Sequence, residues 1–106
     1  MVDIVYTIEY NQAMKFEWDD DKNIANFRKH GVWFEEAQTI WADEKSQEFF
    51  DPEHSKNEDR FIRIGNSTKP RLLLVAFCER EGGDTVRIIS TRKTTKEEEK
   101  QYEEGI

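Results

Sequence analysis

A chain of 106 residues has the size of one domain and leaves no room for two independent cores. Charged residues make up 37% and hydrophobic ones 36%, yet 12% of aromatics points to a packed core rather than disorder. No apolar run is long enough to span a membrane, residues 1–13 lack the basic start of a secretory signal, and a single cysteine, Cys78, rules out an internal disulfide. These features read as a cytoplasmic protein with no membrane partner.

The net charge of −7 is unevenly distributed. Residues 1–59 hold 6 basic against 15 acidic residues, residues 60–96 hold 9 against 3, and the last ten hold 1 against 5. Local field matters more than net charge for attracting phosphate, so the basic middle segment is either a nucleic-acid face or a set of solvated sheet edges.

Val2 to Tyr10 alternates in period two and reads as a strand, as does Lys15 to Trp18. The run Asp19-Asp20-Asp21 opens a helix: one aspartate caps and the others face the positive end of the helix dipole. Magnesium ligation is the other use of such a run. In this helix Ile24 and Phe27, three apart, are expected to face the core, and Gly31 ends it. A second helix carries Phe34, Ala37, Ile40 and Trp41 on one face, although Trp33 makes a poor cap at its start. Strands are expected at Ser46–Phe50, Arg60–Ile64, Arg71–Phe77 and Val86–Arg92, the last three joined by two hairpin turns. Thr94-Thr95-Lys96-Glu97 matches a capping box and opens an acidic C-terminal helix. The fold class is therefore α+β, with an antiparallel sheet of about four strands, two N-terminal helices and a C-terminal helix.

Residues able to do chemistry concentrate on the sheet. Arg60 and Arg87 pair best as phosphate binders, because a guanidinium grips phosphate oxygens bidentately and stays charged. In regular period two, Arg87, Ile89 and Thr91 share one face and Ile88, Ser90 and Arg92 the other, so Arg87 and Arg92 meet only if a bulge intervenes. His30 at a helix end either titrates near neutral pH as a general acid–base or simply caps the helix. Glu58 is a base or an arginine partner. His54, in a polar loop, is a weaker catalyst candidate than His30. Cys78 lies inside an apolar run and reads as a buried thiol before a nucleophile. One Cys and two scattered His make no zinc site, and no cofactor or phosphate-cradling glycine loop is indicated. Metal-free RNA cleavage fits what remains, since the RNA 2′-hydroxyl is its own nucleophile.

The ordered set Phe16-Glu17-Trp18-Asp19, Lys22, Asn26, Lys29-His30-Gly31-Val32, Phe34-Glu35-Glu36-Ala37, Asp51-Pro52, Ser55 and Glu58-Asp59-Arg60 resembles the BrnT family. The resemblance continues through Ile64-Gly65, Arg71-Leu72-Leu73, Arg87 to Lys93 and Glu97 to Tyr102. It implies a RelE-like fold, a metal-independent ribonuclease that arrests translation, and neutralisation by a BrnA-type ribbon-helix-helix antitoxin, with DNA bound only through that complex. On this reading residues 14–106 form the toxin domain, and 1–13 are either an extra strand or lie before the true initiator, Met14. Arg60, Arg87, His30, Glu58 and Arg92 are the catalytic candidates, and Lys29, Arg71, Lys93 and Ser90 the RNA-binding ones. The alternative is a catalytically inactive relative that keeps the antitoxin contact and takes part in promoter autoregulation. Adjacent Phe49 and Phe50, with Trp33 and Trp41, are expected to leave aromatic surface for the partner.

Overall fold

The computed structural model describes residues 3–7 and 14–105, the first segment at the level of its backbone. Its elements in chain order are β1 (Asp3–Thr7), β2 (Lys15–Asp19), α1 (Asp20–His30), α2 (Phe34–Ala37) with a 3-10 continuation (Gln38–Ala42), β3 (Gln47–Phe50), a 3-10 turn (Pro52–His54), β4 (Arg60–Asn66), β5 (Leu72–Arg80), β6 (Thr85–Lys93) and α3 (Lys96–Glu104). The strands form one sheet in the order β1-β2-β6-β5-β4-β3. The expected meander is present as β3 to β6, all antiparallel, but the sheet is larger and mixed: β2 lies parallel beside β6, and β1 pairs antiparallel outside β2. A parallel pair needs a long crossover, and here the whole of α1, α2 and the meander supplies it. Residue 2 and residues 8–10 of the expected first strand lie outside the described residues.

α1 begins as its composition demands. Asp19 accepts hydrogen bonds from the backbone N–H of Asp21 at 2.8 Å and of Lys22 at 3.4 Å, and Gly31, at φ 71°, closes the other end in the left-handed conformation. The face it turns inward is not the expected one. Ile24 and Phe27 are exposed, whereas Asn23 and Asn26 are buried. Hydrogen bonding is the reason. Asn26 donates from Nδ2 to the carbonyls of Val32 and Thr91, both at 2.9 Å, and its Oδ1 accepts from the N–H of Thr91 at 3.0 Å. Asn23 accepts from the N–H of Phe34 at 2.8 Å and donates to Glu35, so it supplies the cap that Trp33 cannot give to α2. A leucine or phenylalanine at either position would leave these buried backbone groups unsatisfied.

The core lies between one face of the sheet and α1–α2. Phe16 and Trp18 from β2, Phe34, Ala37 and Ile40 from the helical layer, and Leu73, Val75, Phe77, Val86 and Ile88 from β5 and β6 are almost wholly buried. Trp18 meets Phe34 edge-on at 6.0 Å, and Trp41 stands edge-on to both Phe16 and Phe77 at 5.0 Å. Burial of each such ring contributes about 2–3 kcal/mol. Trp41 is thus a half-buried part of the core rim, covered by Arg63 at 4.9 Å, rather than free aromatic surface. Gly65 permits this packing: a Cβ there would stand 2.9 Å from that of Ser46 and 3.2 Å from that of Ile40.

The end of the helical layer is closed by an ion pair. Arg71 grips Glu36 with two hydrogen bonds, Nε to Oε2 at 2.7 Å and Nη2 to Oε1 at 2.6 Å, and also donates to the carbonyl of Gly31. The hydroxyl of Ser67 donates to the same carboxylate at 2.7 Å. Arg71 holds the Glu36 carboxyl below the usual glutamate range, against burial that works the other way, and Ser67 helps. On the opposite face of the sheet lies α3, whose capping box is Thr95 with Glu98, one residue beyond the expected Thr94 and Glu97. The shift follows from Glu98 also binding Arg92 of β6, at 2.9 and 3.0 Å.

Two predictions follow from this layer. Asn26→Ala should cost at least about 2 kcal/mol in urea unfolding, more than Phe27→Ala, because it strands buried backbone groups where Phe27 only uncovers a half-exposed ring. Equal losses would refute the assignment. Glu36, whose folded pKa is depressed, contributes stability that is complete above pH about 5 and is lost as pH falls through that folded value. Glu36→Gln should therefore lower stability by about 3 kcal/mol at pH 7, and the gap to wild type should narrow steadily on acidification. A gap constant from pH 7 to pH 3 would be inconsistent with the pair.

Candidate functional site

Register places the arginines. Arg60 of β4 stands opposite Cys78 of β5, Cys78 opposite Arg87 of β6, and Arg87 opposite Glu17 of β2. Laterally paired residues point to one side of a sheet, so these four share a row. Its side is fixed by the neighbours: Phe16, Trp18, Phe77, Val86 and Ile88 fill the core, which leaves Glu17, Cys78 and Arg87 on the opposite face. Two strand spacings put the backbones of Arg60 and Arg87 about 9–10 Å apart. Arg80, two residues beyond Cys78, joins the same face and pairs with Glu58 at 3.6 Å. Three arginines on adjacent strands thus surround a buried thiol.

The sheet is irregular where it needs to be. Ala76 pairs with Ser90 but Phe77 pairs with Ile88, so Ile89 is an extra residue in β6. Beyond this bulge the alternation inverts, and Thr91 turns into the core while Ser90 and Arg92 join Arg87 on the outer face. The outer face divides in two. α3 covers the part with Arg92, Leu74, Ile64 and Gln47, and Gln47 donates to the carbonyl of Tyr102 at 3.2 Å. No helix among the described residues covers the part bearing Arg60, Arg80, Arg87 and Ser90. Behind this row, Phe49, Ile62, Ala76 and Ser90 form a second row that is half-buried and largely apolar.

The partners differ along the row. Arg87 donates from Nη1 to Glu17 at 2.6 Å, and both side chains are about five-sixths buried. The Arg60 guanidinium has no hydrogen-bond or ion-pair partner among the described residues, while its N–H donates to Ser55 at 2.9 Å and its carbonyl accepts from Asp51. Arg60 also borders a shallow cleft of about 290 Å³ with His54, Lys56 and Glu58. Burial pushes the Cys78 thiol up, and Glu58 pushes it further against the opposing pull of Arg80, which disfavours the thiolate.

The remaining candidates lie elsewhere. Lys29 and His30 end α1, Lys93 is opposite the core residue Leu73 at the end of β6, and Arg71 belongs to the Glu36 pair, so all four are on the helical side. Arg92 faces outward but is committed to Glu98 beneath α3. His54 is bound to Asp51 at 2.8 Å in an exposed loop. Two residues absent from the sequence candidates, Glu17 and Arg80, sit directly on the open face. Alternation around Phe16 and Trp18, and around Cys78, carried the signal for both. No cluster of three or more potential metal ligands occurs among the described residues, and no helix among them is long and apolar enough to cross a membrane.

Comparison with curated protein sequences gives no match. Among solved structures, the fold is similar to that of the Brucella abortus ribonuclease toxin, BrnT, with a TM-score of 0.55 and 23% identity over 74% of this chain and 94% of that one. At this identity the likeness establishes the α+β fold alone. The family model described as the ribonuclease toxin BrnT of type II toxin–antitoxin systems matches residues 18–98, from the end of β2 through the bulge and the arginine row to Glu98. The chain belongs to the BrnT family of ribonuclease toxins of type II toxin–antitoxin systems.

Proposed function

We propose that the chain is a metal-independent endoribonuclease that arrests translation, with the open face between α3 and the Pro52–His54 turn as its RNA site. The observation that supports this most is the row Arg60–Cys78–Arg87, which sets two guanidiniums two strands apart on one side of the sheet, Arg60 at the edge of a cleft and Arg87 largely buried beside Glu17. In this reading Arg60 binds a non-bridging phosphate oxygen and Arg87, steadied by Glu17, faces the charge that builds as the 2′-oxygen attacks phosphorus and the bond to the 5′-oxygen breaks. The guanidiniums supply the positive charge that a metal would bring, and their field opposes a divalent cation. Glu58 and Glu17 are the carboxylates next to the row and the candidates to take the 2′-hydroxyl proton. Arg80 and Ser90 border the RNA path, whereas Lys29, His30, Arg71 and Lys93 serve the helical side. The antitoxin partner is of the BrnA ribbon-helix-helix kind, DNA is bound only through that complex, and the pair acts in the cytoplasm.

Arg60→Ala and Arg87→Ala should each slow RNA cleavage about 100- to 1,000-fold and relieve growth arrest while remaining folded. Full toxicity from both soluble variants would remove the row from the mechanism. Cleavage by the wild type should persist in excess EDTA. Activity lost in EDTA and restored by magnesium would show that a metal does the work assigned to Arg60 and Arg87. A wild-type protein that binds its antitoxin but neither cleaves RNA nor arrests growth would instead favour the inactive binding module.

A further inference from the structure

α1 is turned inside out. Its buried residues are the amides Asn23 and Asn26, while Ile24 and Phe27 are 41% and 39% exposed. Three residues apart, Ile24 and Phe27 lie on one flank of the helix. Trp33, itself 37% exposed, stacks on Phe27 with ring centroids 4.1 Å apart and planes 11° from parallel. The apolar strip runs from Trp33 into a cleft of about 430 Å³ between α2 and the β4–β5 turn, which Glu35, Thr39, Thr68 and Lys69 also line. Arg28, in the last turn of α1 and four residues from Ile24, lies beside the strip; it and Lys29 are exposed and have no hydrogen-bond or ion-pair partner among the described residues, while the first turn at the Ile24 end carries Asp20 and Asp21.

We propose that this strip is where the antitoxin docks, through an apolar segment that covers Ile24, Phe27 and Trp33 and carries an acidic residue opposite Arg28. The assignment rests on membership of a toxin–antitoxin family and not on the proposed cleavage chemistry. The physical case comes from what the helix gives up. Its core-facing positions carry amides because they must bind Val32, Phe34 and Thr91, so apolar residues on its flank do nothing for the core. Two stacked rings and an isoleucine with an adjoining cleft form the kind of anchor that dominates protein interfaces, and Arg28 beside the strip favours an acidic residue of the partner at that point. The strip and the arginine row are on opposite sides of the sheet, so docking and coverage of the RNA face are separate contacts. An antitoxin held here must reach around a sheet edge with a second segment to block Arg60 and Arg87.

The test uses the full chain and the antitoxin cotranscribed with it. Trp33→Ala and Ile24→Asn should each weaken the complex at least about 30-fold by titration calorimetry, while Phe50→Ala, at the far edge of the sheet, binds as wild type does. Circular dichroism checks that each variant is folded, and the milder Trp33→Ala alone decides the matter if Ile24→Asn is not. Trp33→Ala should cleave RNA at the wild-type rate yet escape neutralisation when the antitoxin is co-expressed. Arg60→Ala should show the reverse, lost cleavage with the Trp33-dependent part of the antitoxin affinity kept. Unchanged antitoxin affinity in folded Trp33→Ala overturns the proposal. Wild-type self-association that Trp33→Ala abolishes, with antitoxin affinity intact, also overturns it and assigns the strip to a second copy. Should the wild type prove unable to cleave RNA, the binding titrations still decide this question on their own.

Discussion

The structure depends on one side chain that binds backbone on two sides. Asn26 fastens α1 to Thr91 in the middle of β6 and to Val32 in the turn that follows the helix, using both amide protons and its oxygen. All of these groups are buried, where an unmade hydrogen bond costs more than a made one contributes. The same contact therefore fixes the roll of α1, the path of the α1–α2 turn and the height of the helical layer over the sheet. It also decides what α1 shows to solvent, because a helix held by its amides cannot turn its apolar flank to the core.

Thr91 can meet Asn26 only because β6 is bulged. Regular alternation from Val86 and Ile88 would send residue 90, not 91, toward the helices. The extra residue, Ile89, inverts the pattern, so Thr91 faces Asn26 while Arg92 faces α3. One irregularity thus serves both layers: it supplies the backbone edge that α1 grips and the arginine that anchors α3. Bulges next to sites re-aim side chains in this way. The register upstream of it stays intact and keeps Arg87 in line with Cys78 and Arg60.

Several acids of this acidic chain are engaged in holding its elements together. Glu36 is consumed by Arg71 and Ser67, Glu98 by Arg92 and the N-terminus of α3, and Asp19 by the N-terminus of α1. The Asp43 carboxyl lies below the usual aspartate range. Its burial works to raise it, but the N–H of Asn66 and the Tyr102 hydroxyl outweigh that, so it too is fully engaged. Near the row, Glu17 and Glu58 pair with Arg87 and Arg80, whereas the Arg60 guanidinium has no partner among the described residues.

Local rules were enough to read much of this from the chain. The aspartate cap, the Gly31 stop, the four-strand meander and the opposite facing of Phe49 and Phe50 all depend on residues close in sequence or on simple alternation. The resemblance carried by the spaced motifs from Phe16 to Tyr102 named the family. What escaped were choices settled between distant segments. Periodicity assigns Ile24 and Phe27 to the core because it counts apolar residues, and it cannot see that Thr91, sixty-five positions away, needs an amide. Parallel pairing of β2 with β6, the bulge at Ile89, the removal of Arg71 and Arg92 into ion pairs and the arrival of Glu17 and Arg80 on the open face are likewise outcomes of tertiary register. The sequence determined which elements form and where basic residues fall along them. The tertiary structure decided which of them share a face, because that depends on where each strand's neighbours fall and on which buried polar groups must find a partner.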